Sequence, residues 1–85
     1  MRDLVFTDKA LEQLNEFILN EKRIAAKIVK LIQNCKKTPF EGIGKPEPLK
    51  HNLKSYWSRR ITKEHRLVYE ITDDAIKIIS CKDHY

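Results

Sequence analysis

Nine residues of this 85-residue chain stand out as acid–base or cationic groups placed on a stiff loop, on predicted strands and at the C-terminal end. RNA can be cleaved without a metal by such groups, because the substrate supplies its own nucleophile, the 2′-hydroxyl. One group must accept the hydroxyl proton, a second must protonate the leaving 5′-oxygen, and a cation must stabilise the phosphate as its negative charge rises. The nine residues are Glu47, Lys50, His51, Arg59, Arg60, His65, Arg66, His84 and Tyr85.

The chemistry of these side chains suggests how the roles could be divided. A carboxylate such as that of Glu47 suits the base, and histidine is the usual acid near neutral pH. The arginine fork matches the oxygens of a phosphate. Many basic domains contain the same residue types, so the alternative interpretation is an ordinary solvated basic surface.

The positive charge is concentrated in one part of the chain. Residues 45–66 contain seven basic and two acidic residues, which equals the net charge of +5 of the whole chain. Tyr56, Trp57 and Tyr69 lie within or near this segment, and aromatic rings can stack on unpaired bases while basic groups bind phosphates. For Trp57, a place in the core is the more ordinary interpretation.

The periodicity of apolar residues predicts the elements that must position these groups. Residues 4–6 form a short strand candidate, and Thr7 or Asp8 can cap the helix that follows. That helix has one apolar stripe, and a second helix should begin near Asn20 with its own stripe. We expect the residues of both stripes to belong to the core. The stripes consist of Leu11, Leu14, Phe17 and Ile18, and of Ile24, Ile28, Leu31, Ile32 and Cys35.

The second half of the chain indicates a loop followed by strands. Residues 38–48 contain both glycines and all three prolines, and Pro46 and Pro48 should hold Glu47 on a stiff, extended backbone. Strands are predicted at 57–62, 65–71 and 75–82, with short turns that imply antiparallel neighbours. The sequence therefore predicts a single α+β domain over residues 1–85, with two helices on one face of the sheet.

Several classes of protein are disfavoured by the composition. No apolar run approaches the roughly 18 residues of a membrane helix, and the N-terminus has no apolar segment typical of a signal peptide. We therefore expect a cytoplasmic protein without a membrane partner. Cys35 and Cys81 should be reduced, buried thiols. No close Cys/His cluster and no phosphate-binding glycine motif is found, so neither a metal nor another cofactor is expected.

Several motifs resemble those of the YoeB/Txe family, the toxins of bacterial type II toxin–antitoxin pairs within the RelE superfamily. They are TPFEG at 38–42, GKPEPLK at 44–50, WSRRIT at 57–62, HRLVY at 65–69 and the terminal CKDHY at 81–85. The resemblance implies a RelE-like microbial RNase fold. It also implies an endoribonuclease that cuts mRNA in the ribosomal A site and thereby inhibits translation. The implied partners are a cognate antitoxin of the YefM/Axe type, the 30S A site and mRNA, with a homodimer as a further possibility.

Carried over by position, the resemblance assigns four catalytic residues. Glu47 matches the general base, Arg66 the phosphate-stabilising arginine, His84 the general acid and Tyr85 the residue that positions the substrate. Lys50, Arg59 and Arg60 are assigned to substrate binding. Arg59 and Arg60 alternate across a strand, so we place Arg60 in the site and Arg59 on a ribosome-facing surface. Asp83 departs from the family pattern, which often has an aromatic residue before the terminal His-Tyr.

Two other functions are compatible with the same sequence. The chain could block translation by occupying the ribosome or RNA without cutting it, which predicts arrest without new RNA ends. It could also be a remnant that mainly binds its antitoxin, which predicts that expression alone is harmless.

Overall fold

The computed structural model describes residues 2–50 and 55–82, which form two helices and a mixed sheet. The helices are α1 (Asp8–Asn20) and α2 (Lys22–Lys37), and the strands are β1 (Asp3–Phe6), β2 (Glu47–Pro48), β3 (Tyr56–Arg60), β4 (Arg66–Ile71) and β5 (Ala75–Ser80). The strand order is β1-β5-β4-β3-β2. Neighbours from β2 to β5 are antiparallel, whereas β1 pairs parallel with β5.

The core lies between the two helices and one face of the sheet. Alternate residues of β4 and β5 turn to that face, as the two-residue period of a strand requires. Helix α2 covers them with the apolar stripe predicted from the sequence, of which all but the half-buried Ile24 are buried. The main contributors are Leu67, Tyr69, Ile76, Ile78, Ile28, Leu31, Ile32 and Cys35.

The stripe predicted for α1 is only partly buried. Phe17 is buried and Leu14 packs against the core, but Leu11 is 56% exposed and Ile18 is 46% exposed. The reason is that α1 meets the core through Ala10 and Phe17, which places Leu11 and Ile18 at the margin of the contact. The prediction that these two residues belong to the core was therefore wrong.

Thr7, and not Asp8, caps α1. Its Oγ1 accepts a hydrogen bond from Ala10 N at 3.0 Å and donates one to the carbonyl of Ile79 at 2.9 Å. The same hydroxyl therefore satisfies a free N–H group of the first helical turn and ties the helix to β5.

Replacing Thr7 with alanine should lower the free energy of unfolding by about 1–2 kcal/mol, because both hydrogen bonds are lost. Urea unfolding followed by circular dichroism measures the change. Thr7→Ser is the matched control, since it keeps the hydroxyl and should stay close to the wild type. Equal stability of the Thr7→Ala and Thr7→Ser proteins would contradict this role of the cap.

The strands are shorter than predicted at the turn between β3 and β4 and at the end of β5. Ile61 N and Thr62 N both donate to the carbonyl of His65, and Thr62 Oγ1 accepts from Glu64 N and His65 N. These bonds within the turn replace the ladder that would have extended β3 to residue 62. Within residues 2–50 and 55–82, no helix is long and apolar enough to cross a membrane.

Both cysteines are free and fully buried, as predicted. Burial raises the pKa of the Cys81 thiol from its ordinary value of 9.0 to about 11. Because the folded protein holds this proton more tightly than the unfolded chain, the thiol's contribution to stability is present below pH 9 and is lost as the pH rises towards 11.

At pH 8, native Cys35 and Cys81 should react with iodoacetamide at least about 100-fold more slowly than in denaturant, since both access and thiolate fraction fall on burial. Mass spectrometry of timed samples measures the rates. Free glutathione in the same tube controls for the reagent. Rapid labelling of the folded protein at either cysteine would show that the thiol is reachable.

Candidate functional site

A carboxylate and a guanidinium meet on the face of the sheet that points away from the helices. Glu47 Oε1 in β2 lies 3.5 Å from Arg66 Nη1 in β4. The register explains the meeting, because Glu47 pairs with Ser58 of β3, which in turn pairs with Val68 of β4. Arg66 lies two residues from Val68 and therefore shares its face.

The two side chains differ in their exposure to solvent. That of Glu47 is 62% exposed, whereas that of Arg66 is 25% exposed. Across residues 2–50 and 55–82, nothing accepts a hydrogen bond from the buried Nε of Arg66. An unsatisfied buried donor costs roughly 1–3 kcal/mol.

Glu47 is held by its short edge strand. Glu47 and Pro48 pair with Ser58 and Trp57 of β3, and Leu49 N donates to the carbonyl of Tyr56 at 2.9 Å. A proline cannot donate to the ladder, but at an edge it needs no partner on its outer side. The stiff, extended backbone predicted for Glu47 is therefore present as β2.

Arg60 is exposed and borders a groove between α2 and the loop before β2. The groove has a volume of about 590 Å³, an apolar floor that includes Leu31 and Ile43, and a cationic rim. The rim comprises Lys27, Lys30, Lys45 and Arg60. Lys50 is exposed and lies at the end of the described segment that follows β2.

Arg59 does not lie on a surface, which corrects the role predicted for it. Its side chain is fully buried, because the alternation of β3 turns it to the helix-facing side. There its guanidinium donates to the hydroxyl of Tyr69, the side-chain oxygen of Asn34 and three backbone carbonyls. Arg59 therefore cannot contact RNA in this structure.

Two partners of Arg59 have structural roles that the sequence analysis did not predict. Asn34 interrupts the apolar stripe of α2 between Leu31 and Cys35, and a polar residue in that place is the signal that could have revealed it. Tyr69 is fully buried and occupies an inward-facing position of β4. Its hydroxyl accepts from Arg59 Nε at 3.0 Å and donates to the carbonyl of Pro39 at 3.1 Å.

The remaining candidates divide between structural residues and residues outside the described segments. His65 is buried against the ring of Phe17. Trp57 packs on the core and on Phe40, as its structural interpretation expected. His51, Asp83, His84 and Tyr85 lie outside the described residues. The roles of His84 and Tyr85 therefore stay predictions.

The chain forms an N-terminal strand, two helices and a largely antiparallel sheet, with Glu47 and Arg66 on the sheet face that points away from the helices. This is the RelE-like fold of small bacterial toxins. Over residues 6–85 the chain matches the family model described as "YoeB-like toxin of bacterial type II toxin-antitoxin system", and it belongs to that family. The predicted family and fold class are thereby confirmed.

Individual relatives agree over almost the whole chain. The chain is 51% identical to the toxin YoeB of Escherichia coli strain K12, over 96% of this chain and 98% of the relative. It superposes on the YoeB dimer from Staphylococcus aureus with a TM-score of 0.91 and 47% identity, covering 99% and 98% of the two chains. The corresponding values for the YoeB-YefM complex from the same organism are 0.86 and 46%, covering 100% and 99%.

Proposed function

We propose that this toxin is a ribosome-dependent endoribonuclease that cuts mRNA in the A site by a metal-independent attack of the 2′-hydroxyl. The observation that carries the proposal is the meeting of Glu47 and Arg66 at 3.5 Å on the sheet face that points away from the helices. A proton acceptor and a phosphate-binding cation are thus held within the dimensions of one phosphodiester.

The chemical step needs one proton acceptor and one proton donor. The Glu47 carboxylate accepts the proton of the 2′-hydroxyl, and the 2′-oxygen forms a bond to phosphorus. The bond from phosphorus to the 5′-oxygen breaks, and His84 gives its proton to the leaving oxygen. The products are a 2′,3′-cyclic phosphate, which can open to a 3′-phosphate, and a 5′-hydroxyl.

Arg66 stabilises the phosphate as its charge rises in this step. Its side chain is 25% exposed beside Glu47, and the guanidinium fork can donate to phosphate oxygens. Arg60 and Lys50 are exposed cations of the same basic segment, and we assign them to holding the flanking phosphates.

The end of β5 supports a role for the C-terminal residues. Ser80 pairs with Val68, so the antiparallel register brings the end of β5 beside the start of β4, where Arg66 lies. Helix α1 fixes that end, since Cys81 N donates to Gln13 Oε1 at 2.8 Å. His84 and Tyr85 follow within four residues of this anchored point, and we assign them the roles of acid and substrate-positioning residue.

The proposed binding partners are based on the assemblies of the relatives and on the positive charge of residues 45–66. One relative is a YoeB-YefM complex and another is a YoeB dimer. We propose a cognate antitoxin of the YefM/Axe type, whose acidic segment covers the basic cleft, and a homodimer as a further assembly. The ribosomal A site and its mRNA are the proposed targets.

Primer extension on a defined mRNA tests the proposal, using purified toxin with and without programmed ribosomes, and with chelator as far as ribosome integrity permits. A new 5′ end within the A-site codon, dependent on the ribosome and lost in Glu47→Gln, is the expected result. Stalled translation without a new end would instead support blocking by occupancy. Absence of both effects would leave antitoxin binding as the function.

A further inference from the structure

The buried guanidinium of Arg59 uses its whole set of donors within the protein. Nε donates to Tyr69 Oη at 3.0 Å, and Nη1 donates to Asn34 Oδ1 at 2.6 Å. Nη1 also reaches the carbonyl of Ile43 at 3.2 Å, while Nη2 donates to the carbonyls of Thr38 and Glu41 at 2.7 and 2.9 Å. Five donors thus meet five acceptors. In residues 2–50 and 55–82, no carboxylate forms an ion pair with this charge.

Most of these acceptors belong to one segment, residues 38–46, which we call the clamp loop. Three of the five are its backbone carbonyls, and Asn34 Oδ1 also accepts from the loop's Ile43 N at 3.1 Å. Tyr69 adds a bond to the carbonyl of Pro39. Arg59 and its two side-chain partners therefore tie the clamp loop to β3, β4 and α2.

The clamp loop packs closely against Arg59 at Gly44, shortly before Glu47 in the chain. Gly44 has a φ of +81°, and a Cβ there would lie 2.7 Å from Leu31 Cδ2 and 3.1 Å from Arg59 Cβ. The carbonyl of Gly44 accepts from Arg60 N at 2.7 Å, and Glu47 follows three residues later. The path of the loop thus sets where β2 begins and where the Glu47 carboxylate lies.

We infer that Arg59 is a positioning residue for the reaction, which acts by fixing the clamp loop and so holding Glu47 beside Arg66. This inference rests on the proposed function, in which Glu47 is the base. Arg59 lies on the opposite face of β3 from Glu47's neighbour Ser58, so its effect on the reaction is transmitted through the loop backbone.

Arg59→Lys is the sharpest variant, because lysine keeps the charge but cannot reach five acceptors arranged around a planar fork. We expect the maximal cleavage rate on programmed ribosomes to fall about 100-fold, the cost of misplacing a reacting group by about 1 Å. The toxin concentration for half-maximal rate should stay nearly constant. Single-turnover reactions with toxin in excess separate the two quantities.

Measuring the plateau rate separately from the half-maximal concentration distinguishes a loss of positioning from a loss of protein stability. A variant that is merely less folded supplies less active toxin, which raises the half-maximal concentration but leaves the plateau rate intact. Ile76→Val, a core change in β5 away from the clamp loop, is the matched control and should keep the wild-type plateau. If Arg59→Lys does not fold, Asn34→Ala takes its place, with an expected plateau loss of about 10-fold.

A second readout needs no ribosome. Cleavage by a glutamate-specific protease after Glu41 should accelerate in Arg59→Lys and Asn34→Ala, but not in Ile76→Val, because only the first two release the clamp loop. Wild-type plateau rate and wild-type resistance at Glu41 in a folded clamp variant would overturn the inference. Loss of resistance together with full activity of Glu47→Gln would instead contradict the proposed base and leave the clamp itself supported.

Discussion

Replacing Glu47 with glutamine should lower the plateau rate of mRNA cleavage on programmed ribosomes by about 10²–10⁴-fold, the usual contribution of a positioned general base. Glutamine keeps the size and hydrogen-bonding reach of the side chain but cannot accept the proton of the 2′-hydroxyl. Because the carboxylate is 62% exposed and lies at a sheet edge, the substitution should not disturb folding. Primer extension under single-turnover conditions measures the rate.

Glu64→Gln is the matched control, since Glu64 is an exposed carboxylate in the same basic segment, in the turn between β3 and β4. Both substitutions raise the net charge by one, so any gain in electrostatic attraction to the ribosome is common to them. Equal plateau rates in the two variants would show that the carboxylate at position 47 is not the base.

The fold was largely predictable because its determinants are local. Alternating apolar residues in the last third of the chain and the stripe of α2 fix which faces become the core, whereas the stripe of α1 does so only in part. Thr7 or Asp8 before the first stripe marked the start of α1, and the structure shows that Thr7 is the cap. The parallel pairing of β1 with β5 was not predicted, because it joins the two ends of the chain and no local pattern records it.

The site was predictable in its chemistry but not in its geometry. Residue types and motifs singled out Glu47 and Arg66. The short distance between their side chains depends on the register of three strands, which cannot be read from the sequence. The missing information on geometry also explains why the burial of Arg59 was not predicted. Alternation showed that Arg59 and Arg60 face opposite ways, but a cation is rarely buried, so a surface was the natural expectation for both.

Only the structure shows what makes the burial of Arg59 tolerable. A loop with its carbonyls turned inward supplies acceptors that need no charged residue and leave no compositional signal. The clamp loop therefore has two roles. Its carbonyls accept hydrogen bonds from the buried Arg59, and it directly precedes Glu47, the proposed base.

Replacing Arg66 with alanine should lower the plateau rate by about 10²–10³-fold, the usual cost of removing one preorganised group that stabilises developing charge. Arg66→Lys should recover part of the loss, because a lysine supplies the charge but not the fork or the Nε donor. The same primer-extension assay measures both. The RNA ends formed by the residual cleavage should be chemically unchanged, since the proposed base and acid are still present.

Lys63→Ala separates this local effect from long-range attraction. Lys63 is an exposed cation of the turn before Arg66, so both alanine variants lose one positive charge from the same region. A general loss of attraction raises the half-maximal toxin concentration in both, most clearly at low salt. Only the loss of a group that contacts the reacting phosphate lowers the plateau. If Arg66→Ala behaved like Lys63→Ala, Arg66 would act only in binding, and blocking of translation by occupancy would become the better account.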